Sequence, residues 1–255
     1  MKVGLLECDH VADHLRHIAG DYRQMFSELI NRHAPQIQLE YFDVFNGEFP
    51  ASVDACDGYL TTGSRFSAYD KDHWIQTLKE FVRQLRDADK PFVGICFGHQ
   101  ILAEALGGKV GRAEGWGIGI QSLGVIQTEA WMQPWQSRCN LQYSHRDQVQ
   151  VLPEGSVVLG ESDHCRVAMF RVGEKMLGIQ GHPEFAAAYA EALIRGRTEL
   201  IGADLVGKAD FASGTDEAVI IKWIATLMEY GGSTPFSSTS VQDSPGSPPR
   251  PGQLP

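Results

Sequence analysis

The sequence has few basic residues and lacks a long hydrophobic run. It contains 22 lysines and arginines against 32 aspartates and glutamates, which gives a net charge of −10 over 255 residues. An acidic chain without a basic run is poorly suited to bind nucleic acids or anionic membranes. No segment approaches the roughly 20 apolar residues of a membrane span, and the N-terminal MKVGLLECDH turns polar too early for a signal peptide. We therefore expect neither a nucleic-acid partner nor a membrane for this protein.

Cysteine is scarce, and the number of cysteines is odd. The five lie far apart in the sequence, at Cys8, Cys56, Cys96, Cys139 and Cys165. In a chain of this length, that pattern argues against a disulfide framework. It predicts a cytoplasmic protein in a reducing environment, where at least one thiol is free to react.

Histidines and cysteines do not occur with the spacing of a metal site. His10, His14 and His17 share one face of a predicted helix, but a solvated or substrate-facing helix start explains them more simply than a metal does. The His164-Cys165 pair has no matching pair elsewhere in the sequence. We expect neither a metal ion nor a cofactor.

The last 23 residues differ in composition from the rest of the chain. The stretch STPFSSTSVQDSPGSPPRPGQLP (233–255) holds six of the twelve prolines and six serines. Such a segment buries too little apolar surface to offset the conformational entropy lost on ordering. The sequence therefore predicts one folded domain over residues 1–232 and a disordered tail over 233–255.

Within residues 1–232, strand and helix patterns alternate. Strands are predicted at 2–7, 37–44, 57–63 and 92–95, and helices at 11–33, 72–88 and 98–106. Further strands are predicted at 117–127, 147–152, 156–160, 166–172 and 175–180, followed by helices at 185–196 and 215–230. The alternation in the first half predicts an α/β fold with a parallel sheet between helices. Active sites in such sheets lie at the carboxyl ends of the strands.

The most specific motif is Val93-Gly94-Ile95-Cys96-Phe97-Gly98-His99-Gln100. An apolar strand ends directly at Cys96, and a helix begins after it, with Gly94 two residues before and Gly98 two residues after. This is the G-x-S-x-G nucleophile-elbow pattern with cysteine in place of serine. A turn this tight leaves room for small residues only at those two positions, and the helix dipole favours a thiolate at its N-terminus. We interpret Cys96 as a nucleophile.

A partner base for Cys96 is found in Gly181-His182-Pro183-Glu184. The apolar strand predicted at 175–180 places His182 at a strand end, and Glu184 is two residues further on. Residues i and i+2 of an extended segment face the same side, so the Glu184 carboxylate can orient the His182 imidazole. Cys96, His182 and Glu184 form the predicted catalytic triad.

These motifs resemble those of the class I, triad-type glutamine amidotransferases. The resemblance rests on three segments, which are GICFGHQ around Cys96, GIQGHPEF around His182 and YSHRD at 143–147. The third segment resembles the GMP-synthase-like branch of the family. The resemblance implies a flavodoxin-like three-layer fold, with a mainly parallel central sheet and a C-terminal set of antiparallel strands. It implies that Cys96 attacks a γ-glutamyl amide and forms a γ-glutamyl thioester. It also implies oxyanion and substrate contacts from Gly63, Phe97, Gln100, Ser144 and His145.

One loop departs from the family pattern. The family's Gly-Gly-Pro oxyanion loop is Thr62-Gly63-Ser64-Arg65 here, in the style of plant γ-glutamyl peptidases and stand-alone relatives of GMP synthase, which act on γ-glutamyl conjugates. The sequence contains neither a G-x-x-x-x-G-K-[ST] loop nor a Ser-Gly-Gly-x-Asp-Ser pyrophosphatase loop.

Three hypotheses follow from the sequence. The substrate is glutamine, with ammonia passed to a separate synthetase, or it is a small-molecule γ-glutamyl conjugate cut as a peptidase would cut it. In the third, the chain is a non-catalytic family member that binds a partner or a metabolite.

Overall fold

The computed structural model describes residues 1–230. The disordered tail predicted for 233–255 lies outside the described residues, and so does the predicted domain boundary at 232.

One sheet of nine strands runs through the described part of the chain, in the order β2-β1-β3-β4-β9-β8-β7-β5-β6. Five strands pair in parallel, namely β1 (Lys2–Leu6), β2 (Gln38–Phe42), β3 (Gly58–Thr61), β4 (Phe92–Ile95) and β9 (Met176–Ile179). The others pair antiparallel, namely β5 (Lys109–Val125), β6 (Arg138–Val151), β7 (Ser156–Glu161) and β8 (Met169–Val172). The parallel part has the 2-1-3-4-5 order of flavodoxin-like sheets, which confirms the predicted fold.

Helices cover both faces of the sheet. They are α1 (Arg16–Ala19), α2 (Tyr22–His33), α3 (His73–Asp87), α4 (Phe97–Ala105), α5 (Ala187–Arg195), α6 (Thr198–Ile201), α7 (Ala203–Lys208) and α8 (Glu217–Tyr230). Successive strand residues point to opposite faces, so Leu5 packs in a hydrophobic cluster with α2, α5 and α8, while Leu6 packs in a second cluster with α3 and α4. The result is the predicted three-layer arrangement.

The single helix predicted over 11–33 is wrong in part. Gly20 has a φ of 76° and ends α1, and Asp21 then starts α2 with a capping box that includes Gln24. Both residues are standard helix-boundary types. Residues 7–15, before α1, form a loop that follows β1 at the carboxyl edge of the parallel strands.

The antiparallel part extends further than the sequence predicts. β5 begins at Lys109 rather than 117, and β6 begins at Arg138 rather than 147. The two strands pair along most of their length, with irregular register between Arg112 and Gly117. Charged and glycine residues obscure the strand pattern in 109–116, but the long hairpin carries residues 144–147 to the parallel strand ends.

Of the helices in the described residues, none is long and apolar enough to cross a membrane.

Candidate active site

Cys96 lies at the sharp turn between β4 and α4. Strand β4 ends at Ile95, helix α4 begins at Phe97, and Cys96 itself has φ 50° and ψ −94°. Within residues 1–230, positive φ values outside glycine occur at Asp89 and Cys96. Such a conformation costs on the order of 1–3 kcal/mol and concentrates at functional sites. The backbone at Cys96 therefore has the strained geometry of a nucleophile elbow.

The two flanking glycines are required by close backbone packing. A Cβ atom at Gly94 would lie 2.3 Å from the carbonyl carbon of Gly98, and a Cβ atom at Gly98 would lie 1.6 Å from Oγ1 of Thr61. Neither contact is possible for a real side chain. Strands β3 and β4 thus approach α4 closely enough to fix the position of Cys96.

His182 and Glu184 follow β9, the strand next to β4. The backbone N–H of His182 donates to the carbonyl of Gln142 in β6, which fixes the loop after β9. Nδ1 of His182 donates to Oε1 of Glu184 over 2.8 Å, and both side chains are buried. The His182 ring also stacks face to face on Phe185, with centroids 3.8 Å apart and an interplanar angle of 10°. These contacts fix the imidazole and leave Nε2 available for proton exchange.

The charges around His182 favour its protonated form. Burial alone lowers the pKa of His182, but the neighbouring Cys96 sulfur and Glu184 carboxylate outweigh it and raise that pKa above its ordinary range.

Burial raises the pKa of the Cys165 thiol, and it also raises the pKa values of the Cys8, Cys56 and Cys139 thiols. These four cysteines remain thiols at neutral pH.

The backbone at Gly63 and at Phe97 lies beside Cys96. A Cβ atom at Gly63 would lie 2.8 Å from Cε1 of His182 and 3.8 Å from Cβ of Cys96, so this loop touches both residues. Phe97 is the first residue of α4, and its N–H therefore has no partner within the helix. An oxyanion hole is built from backbone N–H groups that point at the developing charge, and Gly63 and Phe97 stay the predicted donors.

Two residues that the sequence analysis did not assign support this geometry. Asp9, buried after β1, accepts a hydrogen bond from the backbone N–H of Arg65 over 2.9 Å and so holds the loop that contains Gly63. Gln180, at the end of β9, donates its side-chain N–H to the Cys96 sulfur over 3.5 Å. Their positions just beyond parallel strands are the only sequence signal that could have found them.

The predicted substrate contacts Gln100, Ser144 and His145 line one cavity of about 340 Å³ with Cys96 and Phe97. The side-chain N–H groups of Gln100 already donate to Asp147 and Gln180, so its carbonyl oxygen is the group left for a ligand. Burial lowers the pKa of His145 to about 3. Since Nδ1 of His145 donates to the Asp147 carbonyl, the neutral ring presents Nε2 as an acceptor.

A second, smaller cavity of about 70 Å³ meets the first at Cys96. His182 lines this smaller cavity. Arg65 and Arg197 line both cavities, and Arg112 and Arg146 line the larger one. None of these four arginines, which lie far apart along the chain, is predicted from the sequence as a site residue. The site is thus locally positive in a protein whose net charge is −10.

Of the three histidines near the N-terminus, His10 makes structural contacts, while His14 and His17 are exposed. His10 bridges two carboxylates, with Nδ1 3.1 Å from Asp21 and Nε2 3.0 Å from Asp43. These contacts tie the loop after β1 to the start of α2. In residues 1–230 there is no group of three His, Cys, Asp or Glu side chains arranged to hold a metal ion.

Known proteins resemble this chain in sequence. Residues 27–194 match the family model "Glutamine amidotransferase class-I". The chain is similar to γ-glutamyl peptidase 3 of Arabidopsis thaliana, with 33% identity over 190 residues that cover 71% of this chain and 75% of the relative. It is also similar to the glutamine-hydrolysing GMP synthase of Heliobacterium modesticaldum, with 31% identity over 170 residues, or 64% of this chain and 32% of that protein.

The fold matches solved structures as well. A glutamine amidotransferase from Thermotoga maritima superimposes with a TM-score of 0.69 at 20% sequence identity, covering 91% of this chain and 99% of the other. That likeness bears on the fold, while the family model covers the elbow, the β5–β6 hairpin and the His182 loop. The chain belongs to the class I glutamine amidotransferase family.

Proposed function

We propose that this protein hydrolyses γ-glutamyl amide bonds, with Cys96 as the nucleophile. The observation that carries the proposal is the strained turn at Cys96, next to a buried His182 whose Nδ1 is held by Glu184. A nucleophile, a base and a group that orients the base are the parts that covalent acyl transfer needs. The γ-glutamyl specificity is supported by the family and by the relative named as a γ-glutamyl peptidase.

In the first half of the reaction, the Cys96 thiolate attacks the γ-carbonyl carbon. A carbon–sulfur bond forms, and the N–H groups of Gly63 and Phe97 stabilise the oxyanion. The carbon–nitrogen bond then breaks, and protonated His182 gives its Nε2 proton to the departing amine. A γ-glutamyl thioester on Cys96 remains.

In the second half, water replaces the amine. His182 is now neutral, and it takes a proton from a water molecule as that water attacks the thioester carbonyl. The carbon–sulfur bond breaks, glutamate leaves, and Cys96 and His182 return to their starting states. Glu184 keeps the imidazole in one orientation through both halves because its bond to Nδ1 is independent of the Nε2 proton.

The larger cavity is suited to the γ-glutamyl group. The α-carboxylate of the γ-glutamyl group is complementary in charge to Arg112 and Arg146, and its α-ammonium group is complementary to Asp147. These three residues line the larger cavity together with the predicted contacts Gln100 and Ser144. Arginine binds carboxylates through paired N–H donors.

The alternative hypothesis of a non-catalytic binding protein gains no support, because the three triad positions are filled and brought together.

We further propose that residues 1–232 form one catalytic domain in a reducing, cytoplasmic environment. The five cysteines are free and buried, and α8 packs into the same hydrophobic cluster as α2 and α5. Glutamine, with a separate synthetase that accepts the ammonia, and a γ-glutamyl conjugate both fit the mechanism. The relative named as a peptidase favours the conjugate.

The function is tested by glutamate release from a panel of amides. The purified chain is expected to release glutamate from γ-glutamyl dipeptides faster than from glutamine, and not from α-glutamyl dipeptides, since attack requires the γ-carbonyl. Release from glutamine alone would point to an ammonia-supplying subunit. Absence of release from every γ-glutamyl compound would contradict the proposed function.

A further inference from the structure

The two cavities at Cys96 contact different parts of the catalytic machinery. The predicted γ-glutamyl contacts Phe97, Gln100 and His145 line the larger cavity only, whereas His182 lines the smaller one only. In the proposed reaction, His182 protonates the departing amine. The leaving group must therefore lie on the side of the smaller cavity, while the γ-glutamyl group occupies the larger one.

The smaller cavity has more room than ammonia needs. About 10–15 Å³ of such volume holds one water molecule, which is close to ammonia in size, and this cavity measures about 70 Å³. Its walls include the apolar side chains Val11 and Leu193 and the aromatic residues Tyr22, Phe185 and Tyr189. A small carbon-bearing leaving group can fill this space and contact these walls.

A positive charge at the smaller cavity is available for binding. The Arg197 side chain makes one hydrogen bond, to Oγ of Ser144 over 3.4 Å, and it forms no ion pair with any side chain of residues 1–230. The acidic residue on the same wall, Asp9, is already occupied by the backbone N–H and the guanidinium of Arg65. Arg197 is half-buried, lines the same cavity as Cys96 and retains donors for an anionic ligand.

We propose that the smaller cavity is a leaving-group subsite in which Arg197 binds a carboxylate of the departing amine. The inference rests on the proposed function, and it specifies the substrate class as γ-glutamyl amino acids and peptides with a free carboxylate near the scissile bond. Hydrolysis of such a substrate consumes one water and yields glutamate and the amino acid or peptide. The leaving group of glutamine is ammonia, which has no carboxylate for Arg197 to bind.

The test compares one leaving group with and without its charge. γ-Glutamylalanine and γ-glutamylalaninamide differ only in the carboxylate, and kcat/KM is measured for both by alanine or alaninamide release. The wild-type protein is expected to prefer the acid by about tenfold or more, in line with one charge-assisted hydrogen-bond pair. In Arg197→Gln, the rate on the acid falls by about that factor, and the preference for the acid is lost.

Arg195→Gln is the matched control. Arg195 lies two residues away at the end of α5, pairs with Glu191 and lines neither cavity. This variant should keep the wild-type preference. Circular dichroism of both variants checks that the fold is retained.

Each outcome is informative about a different claim. Equal rates on the acid and the amide in the wild-type protein would overturn the subsite and leave the proposed function intact. A preference for the acid that survives in Arg197→Gln would show that Arg197 is not the binding group. If neither compound is cleaved, while the wider γ-glutamyl panel is also inert, the proposed function itself fails.

Discussion

Replacing Cys96 by alanine is expected to reduce glutamate release by about 10⁴-fold or more. The variant keeps the cavities and the oxyanion amides, but it cannot form the thioester. Alanine tolerates the positive φ at this position no better and no worse than cysteine does, so the fold should be retained. Glutamate release from a γ-glutamyl dipeptide measures the effect, and circular dichroism checks the fold.

Cys165→Ala serves as the control for the cysteine substitution. Cys165 is a buried cysteine whose pKa burial raises to about 12, and it lines neither cavity at Cys96. This variant should retain most of the activity and lose some stability through the small cavity left behind. If Cys96→Ala retained more than about one hundredth of the wild-type rate, nucleophilic catalysis by Cys96 would be excluded.

Replacing Glu184 by glutamine is expected to lower kcat/KM by about 10²- to 10⁴-fold. Glutamine has nearly the same shape and can still accept a hydrogen bond from Nδ1 of His182, but it lacks the negative charge. The charge of Glu184 contributes to the raised pKa of His182, so its loss makes the imidazolium form less stable. The proton donor for the departing amine is then less populated at neutral pH.

The lowered pKa of His182 in Glu184→Gln is expected to shift the alkaline limb of the pH profile of kcat/KM. Loss of the His182 proton sets the alkaline limb of kcat/KM, and the raised pKa of His182 places that limb above the ordinary range of histidine. In Glu184→Gln, the limb should move to lower pH. The control is Glu191→Gln, since Glu191 is an exposed carboxylate on α5 that pairs with Arg195. An alkaline limb that does not move in Glu184→Gln would contradict the assigned orienting and charge-stabilising role.

The triad could be predicted because each member lies in a local pattern. The elbow glycines Gly94 and Gly98 are close in sequence to the nucleophile they serve, and the steric demand behind them is local to one turn. His182 and Glu184 are two residues apart at the end of a recognisable strand. Parallel strands β4 and β9 then bring the two motifs together, as the rule for carboxyl strand ends anticipates.

The supporting residues could not be predicted because their contacts join distant parts of the chain. Asp9 contacts the loop at Arg65, 56 residues away, and Gln180 contacts Cys96, 84 residues away. Neither residue has a distinctive local pattern. Arg197 follows α5 and reaches the site only because α5 packs beside the β5–β6 hairpin, an arrangement that depends on the whole fold.

The differences in secondary structure have two different origins. The apolar spacing over 11–33 continues across Gly20 and Asp21, so periodicity alone does not reveal the boundary that the capping box creates. The β5–β6 hairpin gains its first residues through pairing between the two strands rather than through apolar alternation. The helix boundary follows from a local capping signal that apolar spacing does not show, whereas the longer hairpin follows from tertiary pairing between strands.

The most direct test of the central claim is detection of the γ-glutamyl thioester on Cys96. The protein is mixed with a γ-glutamyl dipeptide, quenched in acid during turnover, digested and examined by mass spectrometry. We predict that the peptide containing Cys96 gains the mass of one γ-glutamyl group and that hydroxylamine removes this group. A γ-glutamyl group on another residue, or active turnover with no such group on Cys96 under conditions that trap acyl-enzymes, would contradict the account.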